Sequence, residues 1–166
     1  MRSIVSGLFA AMLMAGCASY NGAGLVPGKS TAAEVETVMG RPADRVTKPD
    51  GGAVLYYPRG PEARDTFAAS IGADGKLQAI DQILTDANIA KIVPGSTTAA
   101  QVRDLIGPSV VHSSLPRIGR DVWEYKIGDE VHPFLLYVQL SSDGIVREVV
   151  RTRDPHYDMG DGGSLP

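Results

Sequence analysis

Cysteine is nearly absent from this chain of 166 residues: Cys17 stands alone. One thiol cannot close an intrachain disulfide, and it cannot build a metal site from several thiolates. Aromatic side chains are scarce at 6%, with one Trp and three Phe, and the formal net charge is −3 with no run of Lys or Arg. A nucleic-acid surface needs a basic stripe, so that class of partner is excluded. Beyond residue 20 no apolar stretch approaches the roughly 20 residues that a membrane-spanning helix requires. Catalytic spacings are missing too. The three histidines, His112, His132 and His156, are scattered, and no Gly-x-Ser-x-Gly occurs. Gly28-Lys29-Ser30 has the ending of a phosphate loop but lacks the strand and glycine that should precede it. These residues predict a protein that is not an enzyme, with no cofactor, no metal and no small-molecule substrate.

What is present begins at the amino end. Arg2 is followed by a mostly apolar run from Ile4 to Met14, and then by Ala15-Gly16-Cys17. A secretory leader has a positive start, about 7–15 apolar residues and small side chains beside the cleaved bond. The segment Leu13-Met14-Ala15-Gly16-Cys17 resembles the bacterial lipobox, with Met14 where that motif more often has Leu. The resemblance implies that Cys17 carries acyl chains, which anchor a protein at about 0.8 kcal/mol per buried CH₂. Ala18 stands where Asp marks retention at the inner membrane, which implies the outer membrane as destination, on its periplasmic side.

The second signal is internal. Val26-Pro27-Gly28-Lys29-Ser30-Thr31-Ala32-Ala33-Glu34-Val35 returns 67 residues later as Val93-Pro94-Gly95-Ser96-Thr97-Thr98-Ala99-Ala100-Gln101-Val102, and Gly40 returns as Gly107. Later landmarks drift: Val54-Leu55-Tyr56-Tyr57 matches Val122-Trp123-Glu124-Tyr125 at 68, and Asp74-Gly75 matches Asp143-Gly144 at 69. Landmarks kept in order across small loop insertions predict a duplicated structural unit.

Each copy reads alike. Pro-Gly breaks the chain, and Thr31 with Glu34, or Thr98 with Gln101, forms a capping box. Ala32, Val35, Val38 and Met39, like Ala99, Val102, Leu105 and Ile106, make an apolar stripe on a short helix, which Gly40 or Gly107 ends. The period then falls to two. Strands are predicted at 53–57, 66–71 and 77–83, and at 122–125, 134–140 and 145–150, with weaker ones at 44–47 and 110–113. A further short helix is predicted from Asp86, with Asp86 as its cap, and has no counterpart ahead of the first copy. The predicted fold is α+β: two tandem repeats, each a short capped helix (or helix pair) on a three- to four-stranded antiparallel meander. The predicted divisions are a signal peptide 1–16, a lipidated tether 17–24, repeats at 25–85 and 86–153, and an unstructured tail 154–166.

A lipobox ahead of Pro-Gly-x-Ser/Thr-Thr-x-x-Glu/Gln-Val, a helix-ending Gly, a Trp/Tyr-bearing strand and an Asp-Gly hairpin resembles the SmpA/OmlA group, the BamE-like outer-membrane lipoproteins. The second copy carries the fuller match in Trp123-Glu124-Tyr125 and Asp143-Gly144; the first has Leu55 in place of the Trp. Two units in succession are also similar to the β-lactamase inhibitor proteins. The first likeness implies an envelope protein that binds subunits of β-barrel assembly and touches lipid through acylated Cys17. The second implies a module that inhibits or regulates an envelope enzyme. The single unit of the first family and the unlipidated state of the second both differ from this chain.

The candidate partner-binding residues are Trp123, Tyr125, Tyr57, Arg147 and Arg151. Alternation places Trp123 and Tyr125 on one side of a strand, where aromatic anchors could bind a partner or plug a core. Tyr56 and Tyr57 fall on opposite faces, which predicts that one of them is exposed. Arg147, Arg151 and Arg153 alternate along the last strand. There they meet lipid phosphate or an acidic partner, or else guard a free edge.

Overall fold

In the computed structural model, residues 21–60, 62, 64–129 and 131–156 are described. The predicted leader, Cys17, the start of the tether and the tail from residue 157 lie outside them. The architecture is α+β, with two four-stranded antiparallel sheets.

The first half begins with helix α1 (Ala32–Met39). Thr31 is its cap: the Thr31 hydroxyl accepts from the Glu34 amide at 3.3 Å, and the Glu34 carboxylate accepts from the Thr31 amide at 2.6 Å. That backbone hydrogen bond, aided by the Thr31 hydroxyl, holds the exposed Glu34 carboxyl below its ordinary value. Four strands follow in sequence order across the sheet: β1 (Asp44–Thr47), β2 (Ala53–Pro58), β3 (Thr66–Ile71) and β4 (Leu77–Gln82). Because side chains alternate across a strand, one face presents Ala53, Leu55, Tyr57, Ala69 and Ile71. These close over Val35 and Met39 of α1 to form the first core.

A linking helix, α2 (Asp86–Ile89), leads to the second half, and its cap is Thr85 and not the predicted Asp86. The Thr85 hydroxyl accepts from the Asn88 amide at 3.2 Å. Asp86 is thereby pushed into the first turn, where its charge still suits the helix dipole. Helix α3 (Ala99–Ile106) has its own capping box, Thr98 with Gln101. It is followed by β5 (Val111–Leu115), a 3₁₀ turn at Pro116–Ile118, β6 (Arg120–Gly128), β7 (Pro133–Ser141) and β8 (Val146–Arg153). Val102 and Ile106 of α3 are fully buried against Tyr125, Ile127, Leu136, Val138, Leu140 and Val146, with Leu84 and Ile92 closing the second core.

The loop before each helix is stitched to the last strand of its sheet. Gly28 donates to Leu77 O, Leu77 to Ser30 O and Ala32 to Gly75 O; Gly95 donates to Val146 O, Val146 to Thr97 O and Ala99 to Gly144 O, all at 2.7–3.0 Å. These bonds explain where the helices sit. They tie each capping residue to the hairpin that begins the fourth strand, so the apolar stripe must face the sheet.

The two halves meet through the C-terminal end of α3. Tyr56 donates to Asp104 Oδ1 at 3.2 Å, and Arg103 lies 3.7 Å from Asp44 across the same seam. Gly107, at the end of α3, faces the Thr66 methyl and Ile83. This covering overturns the prediction that one of Tyr56 and Tyr57 is exposed. They do point to opposite faces, but Tyr57 enters the first core, and α3 of the other half reaches Tyr56, leaving them 5% and 2% exposed. The structure departs from the predicted tail at its first residue, while 157–166 lie outside the described residues. Asp154 is fully buried, and its amide donates to Pro133 O at 3.0 Å, continuing the edge of the sheet past β8.

Candidate protein-binding surface

The residues singled out from sequence divide between core and rim. Trp123 is half-buried on the core side of β6, where it packs on the second core, and its ring meets His112 with centroids 5.5 Å apart and planes at 46°. Tyr125 shares that face and is buried. Its hydroxyl donates to Gly107 O at 3.0 Å, and burial pushes its phenol pKa far above the ordinary range. The Tyr57 hydroxyl is enclosed without a hydrogen-bond partner among the described residues. Burial first, and then the charge of Glu36, raise its pKa to about 12. Tyr57 and Tyr125 therefore spend their rings on holding helix to sheet, and only part of Trp123 remains for a partner.

The arginines are exposed but not idle. Arg147 holds Asp143 at 2.6 Å and Ser141 Oγ at 2.7 Å inside the β7–β8 hairpin. Arg151 reaches back to Asp86 of α2 at 2.9 Å and lies over the Phe134 ring, 4.5 Å from its centroid. The three do not form one stripe. A register shift pairs Leu140 with Val146 and Gln139 with Glu148. That shift leaves Arg147 at the bulge, whereas Arg151 and Arg153 stand opposite Leu136 and Phe134 on the core-side face. A bulge inserts one residue and changes the alternation beyond it, which the sequence spacing alone does not reveal.

The face of the second sheet turned away from α3 was not singled out from sequence. It carries Val122, Glu124 and Lys126 on β6 and Leu135 and Tyr137 on β7, cross-paired in the antiparallel ladder. Glu62, Val111, Glu124, Lys126, Leu135, Tyr137, Pro155 and His156 enclose a groove there of about 490 Å³. Leu135, 5% exposed, is the buried apolar side chain of its lining. The charge of the groove is concentrated around Lys126, whose ammonium pairs with Glu62 of the first half and lies 4.0 Å from Asp154. Tyr137 has its phenol pKa raised, by burial first and then by the carboxylates of Glu124 and Asp154. One signal for this face was in the sequence. In β7, Pro133 and Leu135 alternate with apolar Phe134, Leu136 and Val138, so both faces of the strand are greasy, as in a strand covered on two sides. The fully buried Asp154 gave no such signal, because its position depends on the chain end folding back along Pro133.

A second groove, of about 410 Å³, lies behind the first sheet, with Val46, Val54, Tyr56, Ala68 and Ser70 on one side and Asp104 on the other. Ala68 and Ser70 make its floor shallow where Tyr137 and Gln139 fill the corresponding strand of the second sheet.

No known family model and no curated protein matches the chain. Among solved structures, a DUF4309 family protein (YjgB) from Bacillus subtilis is similar at 18% identity, with 80% of this chain and 84% of that one covered and a TM-score of 0.32. So loose a likeness leaves the functional argument to this chain's own residues.

Proposed function

We propose that this chain is a non-catalytic, lipid-anchored protein of the bacterial outer membrane, facing the periplasm, built from two tandem copies of one capped-helix-on-meander repeat. Its work in this reading is to bind another envelope protein, with accessory service to β-barrel assembly as the leading case. The observation that carries the tether is Cys17, the chain's one cysteine, set directly after small Ala15 and Gly16 at the end of an apolar run. Support for binding comes from the groove behind the second sheet, where apolar Val111, Leu135 and Tyr137 lie among the charged Glu62, Glu124 and Lys126, the mixture of apolar and polar contacts that interfaces use. Support for the duplication comes from the matching capping boxes and stitched loops of the two halves. A second reading, inhibition or regulation of an envelope enzyme, draws on the presence of two such units in one chain, the organisation of the tandem inhibitors that the sequence resembles.

The tether is tested by Cys17→Ser. In the producing cell, the native chain is expected in the membrane fraction and labelled by fatty acid. The variant is expected in the soluble fraction, unlabelled, with an unchanged circular dichroism spectrum. Fatty-acid labelling that survives Cys17→Ser contradicts the proposal, and so does a native chain that fractionates as a soluble protein.

A further inference from the structure

The back of the first sheet shows what this kind of face receives. It takes the C-terminal end of a neighbouring helix: Tyr56 donates to Asp104 of α3, Arg103 approaches Asp44, and Gly107 rests on Thr66. In the register of the repeat, Glu124 of the second sheet takes the place of Tyr56. The neutral phenol donates a hydrogen bond to an acid of its neighbour. An ionised carboxylate at the same place accepts only, so a neighbour seated there must bring a donor, and a cation suits it best.

The surroundings agree. Glu62 and Glu124 line the groove together with Lys126, whose ammonium Glu62 already engages and which lies 4.0 Å from Asp154 beneath it. Asp154 is fully buried, and among the described residues its Oδ2 accepts no hydrogen bond but has the Lys126 ammonium 4.0 Å away. Tyr137 and Leu135 supply an apolar wall along which the methylene stem of a long basic side chain can lie.

We propose that the groove behind the second sheet seats a segment of a partner protein that presents a lysine or arginine to Glu124. The inference rests on the protein-binding reading above and names the chemistry of the partner. A second copy of this chain fits poorly. Its first helix, docked as α3 docks on the first sheet, brings Thr37 to the place of Asp104, opposite Glu124, and Glu36 to the place of Arg103, and so adds a carboxylate where a cation is called for.

The test pans a random twelve-residue peptide library on the detergent-solubilised full chain, immobilised through a fused tag. The selected peptides are expected to carry Lys or Arg beside apolar residues, to compete with one another, and to bind at least tenfold more weakly to Glu124→Gln. That variant keeps the size of the side chain, and an unchanged Trp123 emission spectrum checks its fold. Selected peptides without a basic residue, binding that Glu124→Gln leaves intact, or no selected peptide at all each overturn the proposal. A concentration-dependent dimer of the chain that Glu124→Gln abolishes assigns the groove to a second copy and also overturns it. Peptide binding that emerges only on deletion of residues 157–166 assigns the groove to the chain's own tail, with the same consequence. If Glu124→Gln still recovers the native partner from the envelope, the groove is wrong and the protein-binding reading stands. If no partner is recovered by the native chain, that reading itself fails.

Discussion

Leu136→Ala lowers the unfolding free energy by about 2–5 kcal/mol, the range for a buried leucine truncated in a packed core. Leu136 is 1% exposed in the centre of β7, enclosed by Val102 and Ile106 of α3 and by Tyr125 on the neighbouring strand. The ladder on both sides of β7 fixes its backbone, so the sheet cannot collapse into the space left by the lost side chain. The chain carries its own probe for this experiment. Its one tryptophan, Trp123, packs on the same core, so the urea midpoint followed by tryptophan emission must move. A shift below about 0.5 kcal/mol, the scale of an ordinary surface substitution, contradicts the packing described for the second sheet.

Gly107→Ala is the second large effect, and Gly40→Ala is its control. Both glycines end a helix with positive φ and extended ψ, +87° and −171° at Gly40 and +86° and 172° at Gly107. That region is almost closed to side-chain-bearing residues, at a cost of order 1–3 kcal/mol. Their surroundings differ. A Cβ at Gly40 meets nothing within 4 Å, whereas one at Gly107 comes to 2.4 Å from Thr66 Cγ2, on the first sheet. The conformational cost is common to both, so Gly107→Ala is expected to exceed Gly40→Ala by a further 1–3 kcal/mol or so, the usual cost of overpacking. Thr66→Ser deletes that methyl and should recover part of the excess in the double variant, a coupling that a mutant cycle measures. Equal costs for the two glycines contradict the seam between the halves.

What sequence could and could not reveal follows from the range of the interactions. Strand positions at 44–47 and 66–71 emerge from local alternation, and the structure places strands on those residues. Local alternation falls short at β6, which runs from Arg120 to Gly128 and extends past the predicted 122–125 at both ends. Lys126 and Asp121 look like loop residues in a short window, but pairing with β7 on one side and β5 on the other keeps the strand extended. The move of the α2 cap from Asp86 to Thr85 is a one-residue choice between two good capping side chains. Leu84 decides it by leaving the first sheet for the second core.

The candidate surface was less legible for the same reason. Tyr57 and Tyr125 read as aromatic anchors, yet anchors and core plugs have the same composition and the same spacing. Only the far partner separates them: Val35 and Met39 for Tyr57, and Gly107 O for Tyr125. The groove around Lys126 joins Glu62, Lys126 and Asp154 from both halves of the chain. No window of sequence contains them together. Their proximity is a product of the fold.

The measurement closest to the central claim is a pull-down of the tagged, acylated chain from its own envelope in mild detergent, with mass-spectrometric identification and Cys17→Ser as the control. A tethered binding module is expected to recover one defined set of envelope proteins, headed by β-barrel assembly subunits, and to lose them when Cys17→Ser removes the tether. Recovery of a single envelope enzyme instead moves the inhibitor reading to first place. Recovery of no partner by the acylated chain contradicts the claim that this protein works by binding another.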